Sequence, residues 1–237
     1  MTTREERDRS PTRARAILFL LLLLPAPSLG NLGAVVWWPG SRVSQVLFVL
    51  SKLWVLLLPL IWLCWVGRKR CSWSPARQGG LVLGALTGLA IIAAVGGLYA
   101  LIGSRLVPPG EVQRMAAQTG LSSRTMYLAC AAYWIGVNSV LEEYVWRWFV
   151  FRRLAELMPE RWAIVGSALG FTLHHIVAIT IYLPGLTAFL ATVGIFVGAA
   201  LWSWLYCRYR SIWPGYLSHV GADIVIFVIG YRLIFPV

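Results

Sequence analysis

The chain has 237 residues, of which 59% are hydrophobic and 13% charged, and its formal net charge is +12. A mean hydropathy of +0.71, with apolar runs of roughly 18 residues or more, excludes a water-soluble globular domain. These values predict an all-α protein, a polytopic bundle of transmembrane helices.

About seven apolar segments, between six and eight, are predicted to cross the membrane. In chain order they cover residues 17–38, 43–66, 81–103, 127–150, 163–183, 186–206 and 212–234. Because a helix rises about 1.5 Å per residue, each segment can cross a hydrocarbon core of roughly 30 Å. Gly80, Gly84 and Gly88 repeat at four-residue spacing, as do Gly194 and Gly198, and this spacing lets neighbouring helix backbones approach closely.

The chain divides into a basic N-terminal segment at 1–15, N-terminal helices with a connecting loop at 16–126, and a helical core at 127–237. Residues 1–30 also resemble a signal peptide, because arginines precede an apolar run and small residues. The apolar character resumes at Val35, so we expect this segment to remain as the first span.

The basic residues predict the orientation in the membrane. They cluster at 4–15, 68–77, 152–161 and 208–210, which lie on one side of the predicted bundle. Since cytoplasmic loops carry an excess of Lys and Arg, we expect the N-terminus in the cytoplasm of a multi-pass integral membrane protein. This distribution accounts for the positive charge without a nucleic-acid partner.

Ionisable residues interrupt three of the apolar segments. They are Glu142, Glu143 and Arg147 in the fourth, His174 and His175 in the fifth, and His219 and Asp223 in the seventh. Their predicted depths are similar, roughly 10–18 Å from the cytoplasmic ends of the helices. An unpaired charge there costs some 2.5–3.5 kcal/mol, so the three helices are predicted to bring these groups together in a cytoplasm-facing site.

Helical spacing separates the roles of the two glutamates. Glu143 and Arg147 are four residues apart and can form an ion pair on one helix face. Glu142 is turned about 100° away and can face the other helices. His219 and Asp223 share a face in the same way. A purely structural role, in which paired charges hold the bundle together, remains an alternative for the whole group.

The three motifs resemble those of the CPBP family of intramembrane proteases, which includes CAAX-processing prenyl endopeptidases, bacteriocin-processing proteins and Abi-like immunity proteins. The EExxxR motif is matched by Glu142, Glu143 and Arg147. The FxxxH motif is matched by Phe171 and His175. The third motif, a histidine followed four residues later by a small polar or acidic residue, is matched by His219 and Asp223.

The resemblance implies that the core at 127–237 is an intramembrane endopeptidase. Glu142 would activate a water as general base, His175 would hold that water, and His219 would donate a hydrogen bond to the oxyanion. Glu143 and Arg147 would orient their helix. Zinc bound by Glu142, His175 and His219, or a metal-free glutamate mechanism, would both fit.

Two residues depart from the family pattern. Asp223 stands where many members carry Asn, and it would orient His219, stay protonated or support a metal ligand. His174 is additional, and we expect its side chain to form a hydrogen bond across helices.

Other functions remain open at this level. A catalytically inactive scaffold or immunity protein would keep the fold, and a proton-coupled transporter or a haem protein would also place histidines within the membrane. The partners expected are membrane lipids and a membrane-associated protein or peptide substrate, for which a prenylated tail is one candidate. The sequence predicts neither the substrate nor the oligomeric state.

Overall fold

The computed structural model describes residues 4–38, 41–66 and 72–236, and this part of the chain is helical without strands. The prediction of an all-α bundle is confirmed. The helices are α1 (Arg4–Leu23), α2 (Ala26–Leu32), α3 (Arg42–Ile61), α4 (Leu81–Leu106), α5 (Pro109–Gln118), α6 (Arg124–Tyr133), α7 (Ser139–Glu143), α8 (Arg152–Ala155), α9 (Glu160–Tyr182), α10 (Gly185–Tyr209) and α11 (Trp213–Ile234). Wider π-helical turns cover Gly33–Trp37, Trp62–Val66, Trp134–Asn138 and Tyr144–Phe151.

Six helical stretches among the described residues are long and apolar enough to cross a membrane. They are Arg13–Leu32, Arg42–Val66, Leu81–Gly103, Glu160–Ile181, Gly185–Tyr209 and Trp213–Ile234. Each overlaps one of the predicted segments, and together they support an integral membrane protein.

The predicted fourth segment, 127–150, is not among these six stretches. It lies inside residues 124–155, which are continuously helical but alternate between α-helical and π-helical turns. The π-helical turn Tyr144–Phe151 is also the most enclosed part of the bundle, because Val145, Trp146, Phe149 and Val150 are all buried. The part at Tyr144–Phe151 therefore packs against protein, whereas the earlier part of the segment carries exposed apolar side chains, among them Leu128 and Val137.

Helices α4 and α11 pack with their backbones in contact. A methyl group added at Gly88 would lie 2.9 Å from the carbonyl oxygen of Leu217, and one added at Gly221 would lie 2.6 Å from the carbonyl oxygen of Gly88. A methyl group at Gly84 would meet the backbone of Pro214. The predicted packing role of Gly84 and Gly88 is confirmed, and it holds α11 against the bundle. For Gly194 the prediction is wrong, because a methyl group there meets nothing within 4 Å.

Polar contacts anchor the starts of the two helices that carry the histidines. The Arg210 guanidinium, at the end of α10, contacts the Glu160 carboxylate at the start of α9 at 2.5 Å. Before α11, the Ser211 hydroxyl donates to the carbonyl oxygen of Ser74 at 2.6 Å, and the Ile212 N–H donates to the Ser74 hydroxyl at 3.1 Å. These contacts join the start of α9 to the end of α10, and the start of α11 to Ser74.

We expect Gly84→Ala to lower the free energy of unfolding by about 1–3 kcal/mol, because the new methyl group forces α4 away from the backbone of Pro214. Gly97→Ala on the same helix is the matched control, since a methyl group there meets nothing within 4 Å. Thermal unfolding in detergent micelles would measure both. Equal stabilities of the two variants would contradict the close packing of α4 and α11.

Candidate active site

The ionisable residues of three helices meet in one place. Glu142 and Glu143 end α7, and His219 on α11 lies against both of them. The His219 Nε2 is 3.6 Å from the Glu142 carboxylate, and its Nδ1 is 3.2 Å from the Glu143 carboxylate. The prediction that these helices bring their titratable groups together therefore agrees with the geometry.

Glu143 and Arg147 form the predicted ion pair. Their side chains are 0% exposed, and an Arg147 nitrogen lies 3.1 Å from the Glu143 carboxylate. The guanidinium also donates to the carbonyl oxygen of Ala199 at 3.3 Å. Its carbon atom lies 4.7 Å from the ring centre of Phe171 and 5.0 Å from that of Trp202, so aromatic faces surround the charge.

Room for the Glu143 carboxylate depends on a glycine. A methyl group added at Gly215 would lie 2.5 Å from a Glu143 oxygen. Gly215 belongs to the first turn of α11, so the same helix that supplies His219 also admits the carboxylate beside it. The Glu143 carboxylate therefore lies between Arg147 and His219 and contacts both.

His219 is held by an aromatic stack and by a hydrogen bond. Its ring lies 3.9 Å from that of Trp202 with an angle of 14° between the planes. The Trp202 indole N–H in turn donates to the Ser218 hydroxyl at 3.1 Å. With Nδ1–H donating to Glu143, the Nε2 edge of the ring is turned towards Glu142.

Asp223 lies on the same helix face as His219, as the spacing predicts, but its strongest contact is with Ser139. The Ser139 hydroxyl donates to an Asp223 oxygen at 2.6 Å and also lies 2.9 Å from the carbonyl oxygen of Trp134. The other Asp223 oxygen is 3.9 Å from the His219 Nε2, which is too long for a hydrogen bond. Ser139 was absent from the sequence-based site, although its position one turn before Glu142 could have indicated it.

Comparison with known proteins assigns a family to this part of the chain. The sequence model of the family described as type II CAAX prenyl endopeptidase, Rce1-like, matches residues 124–225. Over these residues the chain is similar to the Rce1-like family. No curated protein and no solved structure matches the chain.

The Rce1-like match confirms the predicted resemblance to the CPBP family. It begins where α6 begins and ends within α11, so it contains all the residues quoted for the three motifs. At the family level the match supports an intramembrane protease of the CAAX type. The roles of individual residues, and the division of the chain at 15 and 126, stay predictions.

The two histidines of α9 in this Rce1-like segment differ in their surroundings. The His175 Nδ1 lies 2.9 Å from the carbonyl oxygen of Phe171, one turn earlier, which leaves Nε2 available. His174 is only 5% exposed, and its ring stacks on that of Trp146 at 5.1 Å with 3° between the planes.

The expected side-chain hydrogen bond of His174 across helices is wrong. No described group forms a hydrogen bond with its Nδ1, because stacking on Trp146 fixes the ring orientation. The contact across helices is made by the backbone, where the His174 carbonyl oxygen accepts from the Asn31 side-chain amide at 2.9 Å.

A cavity of about 140 Å³ opens beside Glu142. Its lining includes Glu142, His174 and Trp146, and Lys52 faces it from α3. At roughly 30 Å³ of liquid volume per water molecule, the cavity can hold a few waters or part of a peptide. Glu142 is 15% exposed, so the carboxylate is partly enclosed but remains reachable.

Potential metal-ligand atoms of Glu142, His174 and His175 all lie within 4.8 Å of one another. The sequence-based metal set named His219 in place of His174. His219 Nε2 is close to Glu142, but His219 does not belong to this group of three. The set Glu142, His175 and His219 stays a prediction.

We expect Arg147→Met to lower the free energy of unfolding by about 3–5 kcal/mol, because it leaves the buried Glu143 carboxylate without its cation. The double variant Glu143→Gln, Arg147→Met should lose less, since the buried charge is also removed. Chemical or thermal unfolding in detergent checks this order. Arg210→Met is the control, because that pair is half exposed and is worth about 0–1 kcal/mol.

Proposed function

We propose that this protein is an intramembrane endopeptidase that hydrolyses a peptide bond of a membrane-associated protein or peptide, with Glu142 as its general base. One observation carries the proposal. Of two adjacent glutamates, Glu143 is fully buried against Arg147, whereas Glu142 has no arginine partner, lines the cavity and lies 3.6 Å from the His219 Nε2. Such a difference in surroundings is typical of a carboxylate kept available for proton transfer.

The reaction follows from the positions of these side chains. A water in the cavity would give a proton to the Glu142 carboxylate as its oxygen attacks the carbonyl carbon of the scissile peptide bond. His219, as an imidazolium whose Nδ1–H is held by Glu143, would donate a hydrogen bond from its Nε2–H, on the Glu142 side of the ring, to the oxyanion of the tetrahedral intermediate. Glu142 would then return the proton to the leaving amine, which completes hydrolysis.

The surrounding residues would hold this arrangement in place. Glu143 would hold the edge of the His219 ring through a hydrogen bond, and Trp202 would hold its face through stacking. Arg147 would hold Glu143 through the ion pair. His175, oriented by the Phe171 carbonyl, would hold the water with its Nε2. Apolar and aromatic walls would exclude bulk water, so that the few polar contacts act in a low dielectric.

The residues also fit a metal-assisted form of the reaction. One carboxylate and two histidines whose ligand atoms lie within 4.8 Å of one another are donors that zinc accepts. When bound, zinc would polarise a water or a carbonyl oxygen. The roles proposed for His219, Glu143 and Arg147 are the same with or without it.

The substrate class follows from the environment of the site. A cavity within a bundle of membrane-spanning helices is accessible to a peptide segment at or within the lipid bilayer. A prenylated tail is a candidate, supported by the family description alone. The basic clusters at 152–161 and 208–210 support a site that faces the cytoplasm.

We expect Glu142→Gln to lower kcat for a membrane-anchored reporter peptide by at least about 10²-fold, because the amide cannot accept the proton of water. Glu160→Gln is the matched control, since that glutamate lies at the start of α9 and pairs with the exposed Arg210. Cleavage would be followed in proteoliposomes by mass spectrometry. Unchanged cleavage in Glu142→Gln would contradict the general base, and no cleavage by the wild-type chain would favour a non-catalytic scaffold.

We expect Asp223→Asn to retain most of the activity, because an amide oxygen can still accept from Ser139 and its N–H groups can donate towards the oxyanion. Asp223→Leu should lower kcat by about tenfold or more with little change in KM, since Ser139 then loses its acceptor and α7 its link to α11. Steady-state kinetics on the same reporter separate the two. A larger loss in Asp223→Asn than in Asp223→Leu would contradict this role.

A further inference from the structure

We infer that Lys52 on α3 binds a carboxylate of the substrate and so selects substrates that carry one close to the scissile peptide bond. The inference rests on the proposed endopeptidase function and adds to it a residue that determines specificity. The Rce1-like match covers residues 124–225, so Lys52 lies outside it, and none of the three motifs includes this side chain.

The first observation is the position of Lys52 within its helix. The membrane-spanning stretch Arg42–Val66 has 25 residues, and Lys52 lies well inside both of its ends. At about 1.5 Å per residue, its backbone is roughly 15 Å from the nearer end, which is farther than a lysine side chain reaches. The ammonium group therefore stays inside the bundle, where an unpaired charge costs some 2.5–3.5 kcal/mol.

The second observation is that the protein does not neutralise this charge. Among the described residues, no carboxylate lies close enough to Lys52 to form an ion pair. Its ammonium nitrogen lies 5.5 Å from the ring centre of Phe48, one turn earlier on α3. Such a cation–π contact contributes about 0.5–2 kcal/mol, which is less than the cost of the charge. Lys52 thus has capacity for an anion.

The third observation is the cavity that Lys52 shares with Glu142. Both side chains line it, together with apolar residues such as Val55, Leu56 and Leu141. In such surroundings an ion pair is stronger than in water, and a carboxylate without a cation is strongly disfavoured. A substrate carboxylate can therefore enter beside Glu142 only where Lys52 balances its charge.

Glu142 does not serve as the permanent counter-ion of Lys52. Among the described lining residues it carries the one carboxylate, but its near cationic partner is His219, whose Nε2 is 3.6 Å away. In the proposed reaction Glu142 takes a proton from water and becomes neutral. Lys52 then needs another anion in the cavity, and a substrate carboxylate supplies it.

The size of the cavity limits where on the substrate this carboxylate can be. A sphere of about 140 Å³ is roughly 6 Å across, and an extended chain advances about 3.3–3.6 Å per residue. With the scissile bond at Glu142, the carboxylate that reaches Lys52 belongs to a residue within about three positions of that bond. Two groups fit, the C-terminal carboxylate of the substrate and the side chain of an Asp or Glu.

The experiment compares carboxylate and amide forms of one membrane-anchored reporter peptide in proteoliposomes. In the first pair, the peptide ends shortly after the cleaved bond in either a carboxylate or a carboxamide. In the second pair, the C-terminus is a carboxamide and a residue next to the cleaved bond is either Glu or Gln. We expect the wild type to cleave the carboxylate form of at least one pair with a kcat/KM at least about tenfold higher than that of the amide form.

Lys52→Met should lower this ratio to about one, because methionine keeps the length of the side chain and removes its charge. Arg124→Met is the matched control and should keep the ratio, since Arg124 also lies over a phenylalanine ring, that of Phe235, but does not line the cavity. A purely structural Lys52 would change cleavage of both forms by the same factor. If Lys52→Met does not fold by size exclusion, Lys52→Gln takes its place.

The two pairs identify the source of the carboxylate. Discrimination in the first pair alone assigns the C-terminus, and discrimination in the second pair alone assigns an acidic side chain. Equal kcat/KM values within both pairs, or a ratio that survives in Lys52→Met, would overturn the role of Lys52 and leave the endopeptidase in place.

Binding decides the inference if the wild type cleaves none of the four peptides. Fluorescence anisotropy of labelled peptides, with the full chain in detergent, then gives a Kd for each form. A Kd at least about tenfold lower for a carboxylate form, with the difference lost in Lys52→Met, would support the carboxylate site and count against the endopeptidase. Equal Kd values for carboxylate and amide forms would overturn the site.

Discussion

The buried ion pair between Glu143 and Arg147 is the interaction on which the rest of the structure depends. Neither side chain has any exposed surface, so each charge must be balanced by the other and by the groups that surround them. His219 approaches from α11 and the Ala199 carbonyl from α10, while aromatic rings cover the guanidinium. One polar contact therefore determines how the helices of the functional core lie against one another. It also turns the adjacent Glu142 towards the cavity.

Close backbone packing makes this arrangement possible. The glycines of α4 and α11 bring these helices together without intervening side chains, and Gly215 leaves the space that the Glu143 carboxylate fills. The π-helical turns on both sides of α7 widen the helix where polar side chains cluster, as such turns often do near functional sites. In the first of these turns the Trp134 carbonyl is close to the Ser139 hydroxyl, which also reaches Asp223. Packing and polar contacts thus fix the same region of the bundle.

Within this setting, Glu142 and His174 have surroundings that differ from those of Glu143. Glu142 has no arginine partner and reaches a cavity, and His174 is buried with an unsatisfied ring nitrogen. The contrast with Glu143, one residue along the chain, favours chemistry at Glu142 over a structural role alone. The Rce1-like match covers the helices that carry these groups and supports the same conclusion at the level of the family.

The sequence by itself determined the membrane class, the approximate spans and the three motifs, because hydropathy and helical spacing are local properties. It also determined the pairing of Glu143 with Arg147, since residues four apart share a helix face. Only the tertiary structure decided that Ser139 binds Asp223 and that His174 lies with Glu142 and His175, because those contacts join separate helices. The division of 124–155 into α-helical and π-helical turns was likewise beyond the sequence pattern. This division depends on how a segment rich in aromatic residues packs between neighbouring helices. The spacing of residues along one helix does not determine that packing.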